Sequence, residues 1–131
     1  HHTVEDVGIA LGESIKNALG DKKGITRFGY SYVSFDETLT RSVIDLCNRP
    51  YFIWNVKTSL EKVGEMDQEL FSEFFKSIVT ESRMNCHIET LYGKNNHHII
   101  ESCFKSFAIS LKKAISIDPR KTNIPSSKGK L

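Results

Sequence analysis

The chain has 131 residues, 26% of them charged and 39% hydrophobic, with a formal net charge of +2. That is one domain's worth of chain with a modest core. The charge is too mild for nucleic acid and no basic run is interleaved with aromatics, and no apolar segment reaches a transmembrane length or looks like a signal; neither a nucleic-acid nor a membrane partner is expected.

In chain order, residues 3–19 read as an amphipathic helix, with Val4, Val7, Leu11, Ile15 and Leu19 near helical spacing and Gly20 as its stop. Gly20 to Gly24 is a turn by composition. Ile25–Ser34 then alternates as a strand through Phe28, Tyr30 and Tyr32. A second extended stretch begins at Asp36-Glu37 and has its best core at Ser42–Leu46. Asn48-Arg49-Pro50 marks a turn before a third strand, Tyr51–Val56, and the two β-rich runs on either side of it fit an antiparallel hairpin. A second helix spans about 67–82 with Asp67 as its N-cap, and its Leu70, Phe71, Phe74, Phe75, Ile78 and Val79 read as core. Met84–Tyr92 alternates as a strand containing His87. Gly93–Asn96 is a turn into a third helix, and the tail around Ile124–Gly129 has no periodicity. The order α-β-β-β-α-β-α predicts an α+β layer architecture, since the bulky strand residues require helices on at least one side of the sheet. Three cysteines, Cys47, Cys86 and Cys103, lack any CxxC spacing, so free thiols in a reducing, cytoplasmic setting are expected.

One string occurs twice. His1-His2-Thr3-Val4-Glu5 opens the chain and His97-His98-Ile99-Ile100-Glu101 opens the third helix. The surrounding segments 1–19 and 97–115 also match Ser14 with Ser110, Lys16 with Lys112 and Ala18 with Ala114. Imidazole and carboxylate are ligands of divalent transition metals. On a helix the carboxylate at i+3 or i+4 shares a face with the imidazole, while adjacent histidines point about 100° apart. One His and the Glu can therefore share a metal while the other His turns to a second, a crossed and pseudo-symmetric pair of sites. A solvated histidine cluster is the ordinary reading of one such pair; an internal duplicate is not explained that way. The strand and helix before the second copy have no counterpart before the first, so the chain reads as the C-terminal part of a two-repeat protein.

Taken together, the two His-His-x-x-Glu copies, Leu19-Gly20 to Gly24-Ile25, Arg27-Phe28-Gly29, Asp36-Glu37, Asp45-Leu46, Arg49-Pro50-Tyr51, Lys62-Val63-Gly64, His87-Ile88, Gly93-Lys94-Asn95, Phe104-Lys105 and Pro125-Ser126-Ser127-Lys128-Gly129 resemble the imidazoleglycerol-phosphate dehydratase family along the whole chain. The resemblance implies a ribosomal-protein-S5-domain-2-like fold of two sheet-plus-helix repeats, the first truncated here. Residues 1–83 would close the first repeat and start the second, 84–117 would hold the second-repeat strand and metal helix, and 118–131 a phosphate-binding tail. It implies dehydration of imidazole glycerol phosphate in histidine biosynthesis, two Mn²⁺ ions per site, and a homo-oligomer of about 24 subunits with its metal sites at subunit interfaces.

The resemblance and the pseudo-symmetry assign one metal to His2, Glu5 and His97 and the other to His1, His98 and Glu101, with His87 completing one of the two. A further His and an acid–base Glu of the family are expected upstream of residue 1. Arg27, Arg49, Ser126, Ser127 and Lys128 match the family's phosphate-binding set, and Lys105, one turn after Glu101, is expected to face the same substrate. Where family members commonly have Ser-Gly before Arg-Pro-Tyr, this chain has Cys47-Asn48, a change a tight turn accommodates because Asn tolerates the left-handed region. Two other readings are a metal-binding or assembly module without catalysis and a structural-zinc domain; the absence of thiolate ligands argues against zinc.

Overall fold

The computed structural model describes residues 1–59 and 62–131. Its elements are α1 (His2–Leu19), β1 (Phe28–Phe35), β2 (Thr38–Asp45), β3 (Tyr51–Asn55), the two-residue strands β4 (Lys62–Val63) and β5 (Met66–Asp67), α2 (Gln68–Ser82), β6 (Asn85–Tyr92) and α3 (Asn96–Ile115). The expected α+β architecture holds: α2 and α3 pack against a four-stranded sheet, and α1 lies along α2. β4 and β5 form a small separate hairpin that the sequence pattern does not announce. Asp67 does stand at the N-cap of α2, but its side chain makes no capping bond; it lies 3.9 Å from the Lys62 ammonium instead.

The sheet order is β1-β2-β6-β3. This corrects the expected hairpin across Asn48-Arg49-Pro50. β6 sits between the two strands, antiparallel to β2 and parallel to β3. The chain leaves β3, crosses through α2 and returns as β6, and such a crossover is what a parallel pair requires. β1 begins at Phe28 rather than Ile25 because Arg27 takes φ 77, outside the strand region; Ile25 makes only an isolated bridge to Ile117.

The strand alternation was readable, but the aromatic face is not the packed one. Phe28, Tyr30 and Tyr32 point away from the helices, and Tyr30 is 63% exposed. The face against α3 is made of small residues. A Cβ on Gly29 would lie 2.0 Å from the Ser110 carbonyl oxygen, so α3 can approach β1 only because that residue is glycine. The seam is closed by buried hydroxyls. Ser31 donates to the Ser106 carbonyl at 2.8 Å, Ser42 and Ser110 meet at 2.6 Å, and Thr40 and Ser102 at 2.6 Å. Each such bond contributes on the order of 1 kcal/mol, and losing one partner costs more because the other hydroxyl stays buried. The apolar core lies alongside, where Phe75, Ile78 and Val79 of α2 meet Ile44, Leu46, Met84, Ile88 and Phe107.

Candidate functional site

Three separate groupings hold the residues that the sequence singles out. The best organised is the start of α3. Asn95 is the N-cap, and its side-chain oxygen accepts from the His98 backbone N–H at 3.1 Å. One helical turn brings His97 Nε2 to 2.8 Å from Glu101, as the i, i+4 spacing requires, and Lys105 Nζ reaches the other Glu101 oxygen at 2.9 Å. The Lys105 ammonium chiefly, with His97, holds the Glu101 carboxyl below the usual carboxylate range.

His98 turns the other way, toward the two-residue turn between β1 and β2. Its Nδ1 lies 2.5 Å from Glu37 Oε1. Glu37 Oε2 also accepts from the Thr38 hydroxyl at 2.5 Å and the Lys94 N–H at 2.9 Å. These contacts, the Lys94 N–H first, bring the Glu37 carboxyl down to about 2. An ionised carboxylate can only accept, so Nδ1 carries a proton, while Nε2 faces Asp36 Oδ2 at 3.9 Å. The Phe35 ring stacks on His98 with centroids 4.3 Å apart and planes 24° from parallel. The sequence offers Glu37 only as part of the Asp36-Glu37 family-like pair; its partner is 61 positions away, and no local pattern signals that. Asn95, by contrast, carried an ordinary capping signal.

The first copy is arranged more simply. His1, His2 and Glu5 are exposed at the start of α1, with the two imidazoles edge to face at 5.8 Å. His1 borders a cavity with Asp67, Glu69 and Glu73. Among the described residues, no three His, Cys, Asp or Glu side chains converge as one ion would need. A single chain therefore does not assemble the expected ligand sets.

The third grouping is cationic. Arg27, Arg49, Ser126, Ser127 and Lys128, all five members of the expected phosphate set, line one cleft of about 600 Å³. Arg27 is held in place by Asp45, through Nε at 2.7 Å and Nη2 at 3.2 Å, and its Nη1 donates to the Pro125 carbonyl at 2.9 Å, which ties the tail to the cleft. Three of the five guanidinium N–H groups are so used, leaving two for an anion. Asn48 takes φ 61, the left-handed conformation expected of it, and accepts from Arg83 Nε at 2.9 Å. Arg49 also lines a neighbouring cleft on the outer sheet face, and His87 stands in that one. His87 precedes Tyr92 by five strand residues, roughly 17 Å along β6, so it stands away from the turn that leads into α3. Lys105 lies with Glu101, outside the cationic cleft.

Fold and side chains together define an α+β protein with a His-His-x-x-Glu string at two helix starts, the second carrying imidazole–carboxylate pairs, and a separate cationic cleft. The family model for imidazoleglycerol-phosphate dehydratase matches residues 1–111. Curated relatives of that name are 50% identical in Magnetococcus marinus and 48% in Geobacter metallireducens; each alignment covers all of this chain and 67% of the relative. Among solved structures, the imidazoleglycerol-phosphate dehydratase of Staphylococcus aureus superposes with a TM-score of 0.87 at 42% identity, over 90% of this chain and 69% of that one. The Pyrococcus furiosus structure superposes with 0.84 at 34%, over 100% and 71%. The chain belongs to the imidazoleglycerol-phosphate dehydratase family, hydro-lyases of histidine biosynthesis.

Proposed function

We propose that this chain serves the Mn²⁺-dependent dehydration of imidazole glycerol phosphate to imidazole acetol phosphate, in a cytoplasmic homo-oligomer of about 24 subunits. The observation that carries the reading is the cationic cleft. All five anion-binding candidates line it, and through Arg49 it adjoins the cleft of His87. A substrate with a phosphate at one end and an imidazole at the other suits a guanidinium clamp beside an imidazole ligand.

The side chains fit the metal. The candidates are nitrogen and oxygen donors without thiolate, the set that suits Mn²⁺ better than structural zinc. His98 has Nδ1 already committed to a carboxylate, and Glu101 bonds His97 and Lys105, contacts that ligation beside His98 would replace. In this reading His2, Glu5 and His97 hold one ion, His1, His98 and Glu101 the other, and His87 completes one of them across a subunit boundary. The dispersal of these residues within one chain supports sites shared between chains. So does the aromatic outer sheet face, where Phe28, Tyr30, Tyr32 and Tyr51 are all more than half exposed.

Mn²⁺, when bound, would stabilise the imidazolate form of the substrate's ring, which favours departure of hydroxide from the carbon attached to the ring. The chain's own part is positional. Arg27, Arg49, Lys128 and the Ser126 and Ser127 hydroxyls hold the phosphate and so fix the glycerol carbons. Lys105 stands at the metal end, its ammonium on Glu101. Loss of that hydroxide together with the C–H proton of the next carbon, as water, leaves an enol, and proton transfer to the ring-side carbon gives the ketone. A second reading, a metal-binding or assembly module without turnover, is favoured by the placement of both His-His-x-x-Glu copies outside the cationic cleft. Chelator-stripped protein assayed with imidazole glycerol phosphate separates the two. Ketone formation restored by Mn²⁺ supports the enzyme, Mn²⁺ uptake without ketone supports the module, and ketone formation indifferent to chelator contradicts the metal dependence.

A further inference from the structure

The carboxylate on His98 is itself fully engaged. Glu37 Oε2 accepts from Thr38 Oγ1 at 2.5 Å, the Lys94 N–H at 2.9 Å and the Asn95 N–H at 3.4 Å, which leaves Oε1 for His98. A carboxylate has about four acceptor positions, so Glu37 has little capacity left to bind a metal or exchange a proton. What it can do is hold an imidazole still. Phe35, two residues earlier, covers the same ring and also lies 4.8 Å below the Lys105 ammonium. The His98 backbone N–H is pinned by Asn95 in addition. His97 differs: its side chain is 69% exposed, against 21% for His98, and its polar partner is Glu101 on its own helix.

We propose that the end of β1 and the turn that follows form a clamp that preorganises His98 for ligation: the Glu37 carboxylate fixes its tautomer, the Phe35 ring fixes its plane, and both act as positioning residues. The inference rests on His98 being a metal ligand. An imidazole whose second nitrogen donates to a fixed carboxylate is held in the orientation and tautomer that ligation requires, and loss of such a partner typically lowers metal affinity or activity 10–100-fold. The same clamp relates Lys105 to His98, because one Phe35 ring touches both.

The test has two readouts. Histidine-selective ¹⁵N solid-state NMR of the metal-free chain, at about pH 8.5 where an ordinary imidazole is neutral, reads the His98 tautomer. The clamp predicts a proton on Nδ1 and none on Nε2. In Glu37→Gln the amide can donate as well as accept, so the tautomers should mix. Mn²⁺ affinity should fall about 10–100-fold with helix content unchanged, and Phe35→Leu should lower it less while leaving the tautomer alone. A wild-type His98 protonated on Nε2 overturns the proposal, and so does a Glu37→Gln chain that binds Mn²⁺ like wild type. If Glu37→Gln does not fold, the wild-type tautomer still decides. A wild-type chain that takes up no Mn²⁺ contradicts the metal reading instead, and the tautomer then reports on the clamp alone.

Discussion

In α3 the His-His-x-x-Glu string is held by four residues outside it: Asn95 caps the helix, Phe35 at the end of β1 and Glu37 in the next turn grip His98, and Lys105 engages Glu101. In α1 the same string stands exposed, its N-cap His1 makes no side-chain capping bond, and its two imidazoles touch each other. The helix alone therefore does not organise these candidate ligands. Helical spacing brings Glu101 to His97, but the turn between two strands sets His98, and among the described residues no segment stands to α1 as β1 and β2 stand to α3. The two helices also pack by different means. α3 lies on the sheet through serines and Gly29, whereas α1 lies on α2 through Gly8 and Gly12.

That difference can be broken selectively. A Cβ on Gly12 would stand 2.7 Å from both the Ile78 carbonyl oxygen and Glu81 Cβ. Gly12→Ala should cost about 1–3 kcal/mol by overpacking. Amide exchange in α1 should quicken while α3 keeps its protection, and equal loss in both helices would show that they unfold as one unit. A smaller effect is expected at the other helix. Asn95→Ala removes the cap of α3 and should cost about 1 kcal/mol by chemical denaturation, since Asn is among the best N-caps. An unchanged midpoint would mean that Glu37, which also accepts from the Asn95 N–H, suffices to hold that turn.

Much of this was legible in the sequence because it was local. Helical periodicity gave α1, α2 and α3 within a residue or two, alternation gave the four longer strands, and the duplicated string located two helix starts. Asn48 in the left-handed region followed from its side chain, and the cationic cleft gathered the five residues named for it. What was not legible depended on distant parts of the chain. The insertion of β6 between β2 and β3 is set by the α2 crossover, not by the turn at Pro50. The packed face of β1 is its small one because α3 brings serines there, and a strand's alternation alone does not say which face is buried. Glu37 and Asp45 belong to family-like motifs, but their partners, His98 and Arg27, are set by the fold. The two-residue strands β4 and β5 are too short for any periodicity.

The most direct test is Mn²⁺ binding followed across the oligomerisation equilibrium. Metal-free protein is titrated with Mn²⁺ under conditions where it is assembled, and again after dilution to the monomer, with bound ion read by electron paramagnetic resonance. Sites that need ligands from both motif copies on different chains predict tight uptake of two ions per chain in the assembly and its loss in the monomer. Equally tight uptake by the monomer, or none by the assembly, would contradict metal centres shared between subunits.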